Sequence, residues 1–255
     1  MAELDAVIAI ASHERPQILQ CKTLKLLKRH KIPMNQVYVF VSPQSHSSYK
    51  EIEKEWGFHL VGGKNTTILK TRNNIIKYFD EGQKIIEMDD DVEDVQVTVK
   101  GEKNQSVKNL KALFNRSFRM IPEGGLFGFN ANTNSFFATG TDKYGLYSII
   151  NSCLGYKNDK RVKLTVTEKE DFERCVLFYK FGLPILKRTM YGIKTNYWTN
   201  KGGIQDHYDF DKRIEVQRES AEALLRKYPW ACRAQTRKNG IVDIRFLKDP
   251  LGKYK

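Results

Sequence analysis

Through its first ninety residues the chain alternates short apolar runs with segments of helical spacing, and this alternation constrains the fold more than any other feature. Leu4 to Ala11, Val37 to Val41, Phe58 to Val61 and Lys84 to Val92 read as strands, and the β-branched and aromatic run Val37-Tyr38-Val39-Phe40-Val41 suits a strand buried on both faces. Between them, Leu19, Leu24, Leu26 and Leu27 space as one helix face, with Lys22, Lys25, Lys28 and Arg29 largely outside it. Tyr49 to Trp56 and Ile68 to Phe79 read as two further helices, the first closed by Gly57. A β-α-β-α-β-α-β order with connections of this length implies a parallel sheet with right-handed crossovers, an α/β half of the nucleotide-binding type.

The fourth strand runs into Asp89-Asp90-Asp91. Three like charges at the tip of a buried strand repel one another unless a cation or a ring of donors stands against them. In an open α/β sheet ligands collect at the carboxyl ends of the strands, where carboxylates hold hard divalent metals. If the backbone stays extended, the i, i+2 spacing points Asp89 and Asp91 the same way and turns Asp90 away. A solvated acidic turn is the alternative.

The second half is less regular. Val92 to Val99 alternates like a strand, Val107 to Met120 is helical, Leu126 to Asn130 is a strand and Tyr147 to Leu154 a further apolar stretch. Glu168 to Phe181 reads as a helix led by Glu170-Asp171, Leu183 to Ile193 as a strand, and Trp198 to His207 as a polar, glycine-containing loop. Phe210 to Tyr228 is a charged amphipathic helix and Ile241 to Phe246 a short strand.

A formal charge of +13 favours a polyanionic partner. From Arg226 to Lys255 stand nine basic residues and two acidic ones. Basic residues interleaved with aromatics, suited to phosphate contacts and base stacking, occur at Lys157 to Lys163, at Lys187-Arg188 with Tyr191, Lys194, Tyr197 and Trp198, and at Arg226 to Lys238, which includes Arg233 and Arg237. The four cysteines are scattered without a Cys/His cluster, which points away from a zinc site or a disulfide framework and towards the reducing cytoplasm. The early apolar run from Ala6 to Ala11 is too short for a signal peptide or a membrane span.

Taken together, the alternating first half, the Asp89-Asp90-Asp91 tip and Glu170-Asp171 at a helix start resemble a GT-A-type nucleotide-sugar glycosyltransferase. More narrowly, Ser12-His13-Glu14-Arg15-Pro16, Thr71-Arg72-Asn73, Met88 to Val92, Glu170-Asp171-Phe172 and Lys201-Gly202-Gly203-Ile204 resemble the TET-associated glycosyltransferases of phages and the base J pathway, implicated in adding a sugar to hydroxymethylated pyrimidines in DNA. The resemblance spans roughly Val7 to His207. It implies one GT-A-like α/β domain over 1–255, with a Rossmann-like nucleotide-sugar half at 1–98, a mixed acceptor half at 99–209 and a basic helix and strand at 210–255.

It further implies Mn²⁺ or Mg²⁺ held by Asp89 and Asp91, with His207 as a third ligand, and a nucleotide-sugar donor, a UDP-sugar first, contacted by Ser12, His13, Arg15, Arg72, Asn73, Asp89, Asp90, Gly202 and Gly203. Asp171, with Glu170 as the alternative, is the expected base for an inverting transfer. The acceptor implied is DNA carrying a hydroxymethylated pyrimidine, which the enzyme would reach by flipping the base or by acting on single strands. A glycan, lipid or protein acceptor stays open, as does a nucleic-acid-binding protein whose triple aspartate is structural.

Overall fold

The computed structural model describes residues 3–63, 67–195, 210–236 and 242–253. Four parallel strands, β1 (Val7–Ala11), β2 (Val37–Val41), β3 (His59–Gly62) and β4 (Lys84–Asp89), lie in the order β3-β2-β1-β4. From β1 the chain moves outward to β2 and β3, then returns to the other side of β1 as β4. The order therefore reverses between β1 and β4, the switch point where α/β sheets open a crevice. Register sharpens this: Ala11 stands opposite Asp89, so the loop leaving β1 begins level with the acidic tip of β4.

The sheet continues from β4 through β9 (Cys153–Lys157), β7 (Leu126–Asn130), β10 (Ile185–Lys194), β5 (Asp94–Val97) and β6 (Gln105–Ser106), with β8 (Lys143–Tyr144) also on β10. β9 is antiparallel to both β4 and β7, and β10 runs parallel to β7. The strand expected from Val92 to Val99 shrinks to β5, antiparallel to β10, and the apolar stretch at Tyr147 to Leu154 becomes strand only from Cys153. In β9, a Cβ on Gly155 would sit 2.3 Å from the Phe127 ring, so this close crossing requires glycine.

Strand alternation divides the core between the two faces. Ile8, Ile10, Val37, Val39, Ile86 and Met88 face one core, with Leu19, Leu26, Leu27, Tyr49, Ile52 and Phe114 from α1 (Pro16–Leu19), α2 (Lys25–Arg29), α3 (His46–Trp56) and α5 (Leu110–Arg119). Ala9, Phe40 and Ile85 face the other, with Ile75 and Ile76 of α4 (Ile68–Tyr78), Val176 and Phe178 of α6 (Glu170–Lys180), and Ala221 and Leu224 of α7 (Phe210–Lys227). α1 and α2 are joined by a π turn at Gln20–Leu24. α3 starts three residues earlier than its spacing suggests and ends at Gly57, whose φ of 76° is the left-handed cap.

After α7 the chain adds a hairpin of β11 (Cys232–Thr236) and β12 (Val242–Phe246). It packs on α6 through Phe172 against Phe246 and an ion pair of 2.8 Å from Lys169 to Asp243. Among the described residues no helix is long and apolar enough to cross a membrane.

Candidate active site at the carboxyl edge of the sheet

The loops that leave β1 and β4 meet at the switch point. Ser12 Oγ donates to Asp90 Oδ2 at 2.6 Å and lies 2.6 Å from Tyr49 OH, while the Arg15 backbone N–H donates to Tyr49 OH at 3.0 Å. With the serine proton committed to Asp90, the hydrogens order as Arg15 to Tyr49 to Ser12 to Asp90. The Arg15 guanidinium stands 3.4 Å from Asp90 and 3.8 Å from Asp91, and its buried Nε has no hydrogen-bond partner among the described residues. Burial pushes the Asp90 carboxyl up to about 7 against the opposing pull of Arg15 and Ser12. His13 reaches the loop after β2, with Nδ1 3.1 Å from Ser42 Oγ.

The strand ends at Asp89, and Asp90-Asp91 form a turn. This corrects the expectation of an extended acidic tip: Asp89 is held by Arg72, and Asp91 accepts from Thr195 Oγ1 at 2.9 Å. Asp90 is buried beside Ser12, whose Oγ also lies 2.6 Å from Tyr49 OH, and it shares the Arg15 guanidinium with Asp91. The π turn fixes the bend, because Thr23 donates to the Asp89 carbonyl at 2.8 Å and accepts from the Val92 N–H at 3.0 Å. Such turns recur at functional sites.

On the opposite face of β4 lies a buried polar knot. Glu87 is fully buried and accepts from Arg72 at 2.9 Å, from both terminal nitrogens of Arg174 at 2.9 Å each, and from Tyr156 OH at 2.7 Å. Burial alone would raise its carboxyl, but Arg174 and Arg72 outweigh that and hold it below the ordinary range. Arg72 spends its second terminal nitrogen on Asp89. Burial would make Arg72 less basic, and the fields of Asp89, Glu87 and Glu170 overcome this.

Arg72 is therefore not the open phosphate cation expected: it is 2% exposed and closed off between carboxylates. Asn73 is corrected too. Its side-chain amide donates to the Leu164 carbonyl at 2.9 Å and accepts from the Leu164 N–H at 3.0 Å, stapling that segment to α4 instead of facing the crevice.

The first turn of α6 faces the same edge. Glu170 accepts from Asn151 Nδ2 at 2.9 Å, and the next residue, Ser152, takes the Asp89 N–H on its carbonyl at 3.1 Å. Asp171 Oδ1 accepts from the Phe172 N–H at 2.9 Å. Burial raises both carboxyls above the ordinary range, and the charge of Asp171 raises Glu170 further, so the pair resists carrying two charges. Lys169, just before them, has a left-handed backbone at φ 65° and is anchored by Asp243 of β12.

Among the described residues no group of three or more His, Cys, Asp and Glu side chains forms a metal site. Asp89, with its side chain 32% exposed, and Asp91 still supply two hard carboxylate donors at the open end of the crevice. Magnesium-type sites use one or two carboxylates and complete the shell with substrate phosphates, so this donor set fits such an ion. His207, Gly202 and Gly203 lie outside the described residues, as do Tyr197, Trp198, Arg237 and Lys238.

Much of the basic surface expected to meet nucleic acid is engaged within the protein. Lys187 donates to the Ser148 carbonyl, the buried Arg188 pairs with Asp142 at 2.8 Å, Arg161 pairs with Asp159 and Lys227 with Glu173. Tyr228 is buried as well, and Arg233 donates to the Pro229 carbonyl.

No protein-family model and no curated protein matches this chain. Solved structures do. The S. aureus TarS 1-349 structure aligns with TM-score 0.51 at 12% identity, over 87% of this chain and 66% of that one. The mannosyltransferase PcManGT from Pyrobaculum calidifontis, in complex with GDP-Man and Mn2+, aligns with TM-score 0.54 at 10% identity, over 89% of this chain and 65% of that one. The fold is GT-A-like. A mycobacterial protein shares it at TM-score 0.51 and 8% identity, over 99% of this chain and 88% of its own. The chain spans just under two thirds of the TarS and mannosyltransferase chains, and at such identities the likeness is one of fold.

Within this GT-A-like fold the sequence reading missed Glu87, Arg174, Tyr156, Thr23 and Asn151. A signal was present for two of them: Glu87 interrupts Ile85-Ile86-Glu87-Met88, and Arg174 precedes Cys175-Val176-Leu177. A charge inside an apolar run requires a buried partner, and each is the other's.

Proposed function

We propose that the protein is a glycosyltransferase that moves a sugar from a nucleotide-sugar donor, a UDP-sugar first among the candidates, to the hydroxymethyl group of a modified pyrimidine in DNA. One observation carries the enzymatic part: the switch-point loops and the first turn of α6 bring Ser12, Arg15, Asp89, Asp90 and Asp91 to the same sheet edge as Glu170 and Asp171, with Arg72 coupling the two groups. The GT-A-like fold supports the same reading, and the TarS and mannosyltransferase neighbours are consistent with it.

In this reading the donor diphosphate enters the crevice between β1 and β4. Arg15, with its unpartnered Nε, contacts the phosphates, and Ser12 and His13 shape the wall. Asp89 and Asp91, with His207 as a third candidate, would hold Mn²⁺ or Mg²⁺, which when bound neutralises charge developing on the diphosphate. Arg72 orients Asp89 from behind. Gly202-Gly203 would close over the donor.

Asp171 takes the proton of the acceptor hydroxyl as its oxygen forms a bond to the anomeric carbon and the bond to the diphosphate oxygen breaks. Attack opposite the leaving group inverts that centre. A carboxyl raised towards neutrality by burial is a better base than an ordinary one. Asn151 holds Glu170 beside it. The net charge of +13 supports a polyanionic acceptor.

The decisive experiment incubates the protein and Mn²⁺ with a panel of nucleotide sugars, alone and with oligonucleotides containing hydroxymethylcytosine or hydroxymethyluracil. Donor turnover identifies the enzyme, and a mass shift of one sugar on the oligonucleotide identifies the acceptor. Turnover with sugar appearing only on a glycan, lipid or protein would overturn the acceptor, and no turnover with any donor would overturn the enzyme.

A further inference from the structure

A cavity of about 490 Å³ lies along the helix that begins after β1, within the size range of ligand pockets. Its floor is Leu26 and its walls carry Lys22, Lys25, Lys28 and Arg29 against a single carboxylate, Glu93. The cations recur along one stripe of the π turn and α2, spanning roughly 10 Å at 1.5 Å per residue. Several are positioned by neighbours: Lys22 lies 3.1 Å from Glu93, Arg29 lies 2.6 Å from Asp94, and Lys28 sits 5.0 Å from the centre of the Trp56 ring. Lys28 and Arg29 each carry more N–H donors than one such contact uses.

The groove leads to the reaction edge. Lys22 pairs with Glu93, the Glu93 N–H donates to the Lys194 carbonyl at 2.9 Å, and the next residue, Thr195, donates to Asp91. Thr23, beside Lys22, holds the Asp89 carbonyl from the inner side of the same π turn. The donor crevice between β1 and β4 and the basic groove therefore flank the acidic tip from two directions. Lys22, Lys25, Lys28 and Arg29 stand together on the element whose Thr23 holds the acidic tip, so this cationic face is placed to guide an anionic chain to it.

We propose that this groove holds the phosphodiester backbone of the acceptor strand; the identity of that strand as DNA rests on the function proposed above. Lysines spaced along a helix suit a charged, repeating backbone and read no sequence, leaving the base to enter the site beyond Lys194 and Thr195.

Cys21 supplies the test. It is exposed and lines the groove, whereas Cys153, Cys175 and Cys232 are buried, so a thiol reagent reads this surface. Alkylation of Cys21 in the intact chain is followed by mass spectrometry with no addition, with a single-stranded oligonucleotide, with UDP-glucose and Mg²⁺, and with heparin. The oligonucleotide is expected to slow alkylation about ten-fold, with protection fading as salt rises because phosphate contacts release counterions. UDP-glucose is expected to leave the rate unchanged. Lys25→Glu combined with Lys28→Glu should weaken oligonucleotide binding about ten-fold or more by fluorescence anisotropy, with the thermal midpoint preserved because both side chains are exposed.

An oligonucleotide that does not bind, or that binds while Cys21 reacts at its original rate, overturns the proposal, as does a charge-reversed variant that binds like the parent. Protection by UDP-glucose equal to that by DNA would make the groove a donor site, and protection by heparin alone would exclude the nucleic acid. None of these measurements requires sugar transfer, so failure of donor turnover would sink the proposed reaction while leaving the groove to be judged separately.

Discussion

Glu87 and Asp89 stand two residues apart on one face of β4, and Arg72 bridges them, one terminal nitrogen on each carboxylate. The i, i+2 pair that shares a cation is thus set one step earlier in the strand than Asp89 and Asp91. Its inner member is structural and its outer member faces the crevice, so the same guanidinium ties the core to the site.

Glu87→Gln should therefore be costly although it changes few atoms. It leaves Arg72 and Arg174 buried with too little negative charge, and breaking such a network costs about 3–5 kcal/mol. Equilibrium unfolding in urea measures it; a loss below about 1 kcal/mol, the scale of an exposed ion pair, would show that the knot is not held by charge.

Asp91 is the cleaner probe of metal dependence, since it lies outside that knot. With Asp91→Asn, transfer should fall by about 10²-fold or more while the thermal midpoint holds, and chelation should abolish transfer by the parent. Full activity of the variant in chelator would remove the ion from the mechanism.

For Asp171→Asn the expected result is a fall in kcat of about 10²-fold or more, with donor affinity by calorimetry nearly unchanged. In the parent, kcat should rise with pH through an apparent value above the ordinary carboxylate range, reporting the Glu170-Asp171 pair as a unit. A matching loss of donor affinity would make Asp171 a donor-site residue.

Glu173 gives a pH signature remote from the acidic tip. It accepts from Lys227 at 2.7 Å, from Tyr228 at 3.0 Å and from Thr165, joining α6 to the end of α7. Burial would raise its carboxyl, yet Lys227 and Thr165 outweigh burial and hold it below the ordinary value. A depressed carboxyl contributes stability that is fully present above its unfolded value and lost as pH falls through its folded one. Glu173→Gln should thus lower the thermal midpoint at pH 7, with the gap to the parent closing below about pH 4. A gap independent of pH would assign the effect to packing.

The parallel half of the fold was legible because β2 is a continuous apolar run, β4 carries Ile85, Ile86 and Met88 around its one internal charge, and the helices between them have clean periodicity. β11 escaped because only Cys232 of its five residues is buried, so Cys232-Arg233-Ala234-Gln235-Thr236 carries no alternation and reads as a basic loop. Asp89, Asp90 and Asp91 drew attention as a local run of charge. Their separate fates did not, because each depends on a residue far along the chain: Arg72, Ser12 and Thr195 respectively. Arg72 and Asn73 looked alike as neighbours in a polar motif, yet the helix turns one towards the carboxylates and the other towards Leu164.

The π turn at Gln20–Leu24 makes the helix after β1 a two-sided register lock. Leu19 before it and Leu26 and Leu27 after it are buried in the same core. Losing one residue from the turn would rotate everything downstream by about 100°, the angle per residue of an α-helix. Thr23 would leave the Asp89 carbonyl, and the basic stripe would swing round the helix as the leucines were driven towards water. The extra residue in that turn is thus the point where the spacing of one core, the bend of the acidic tip and the aim of the groove must all agree, and a one-codon deletion there should be tolerated far less than one in the exposed 99–104 loop, where few buried groups depend on the count.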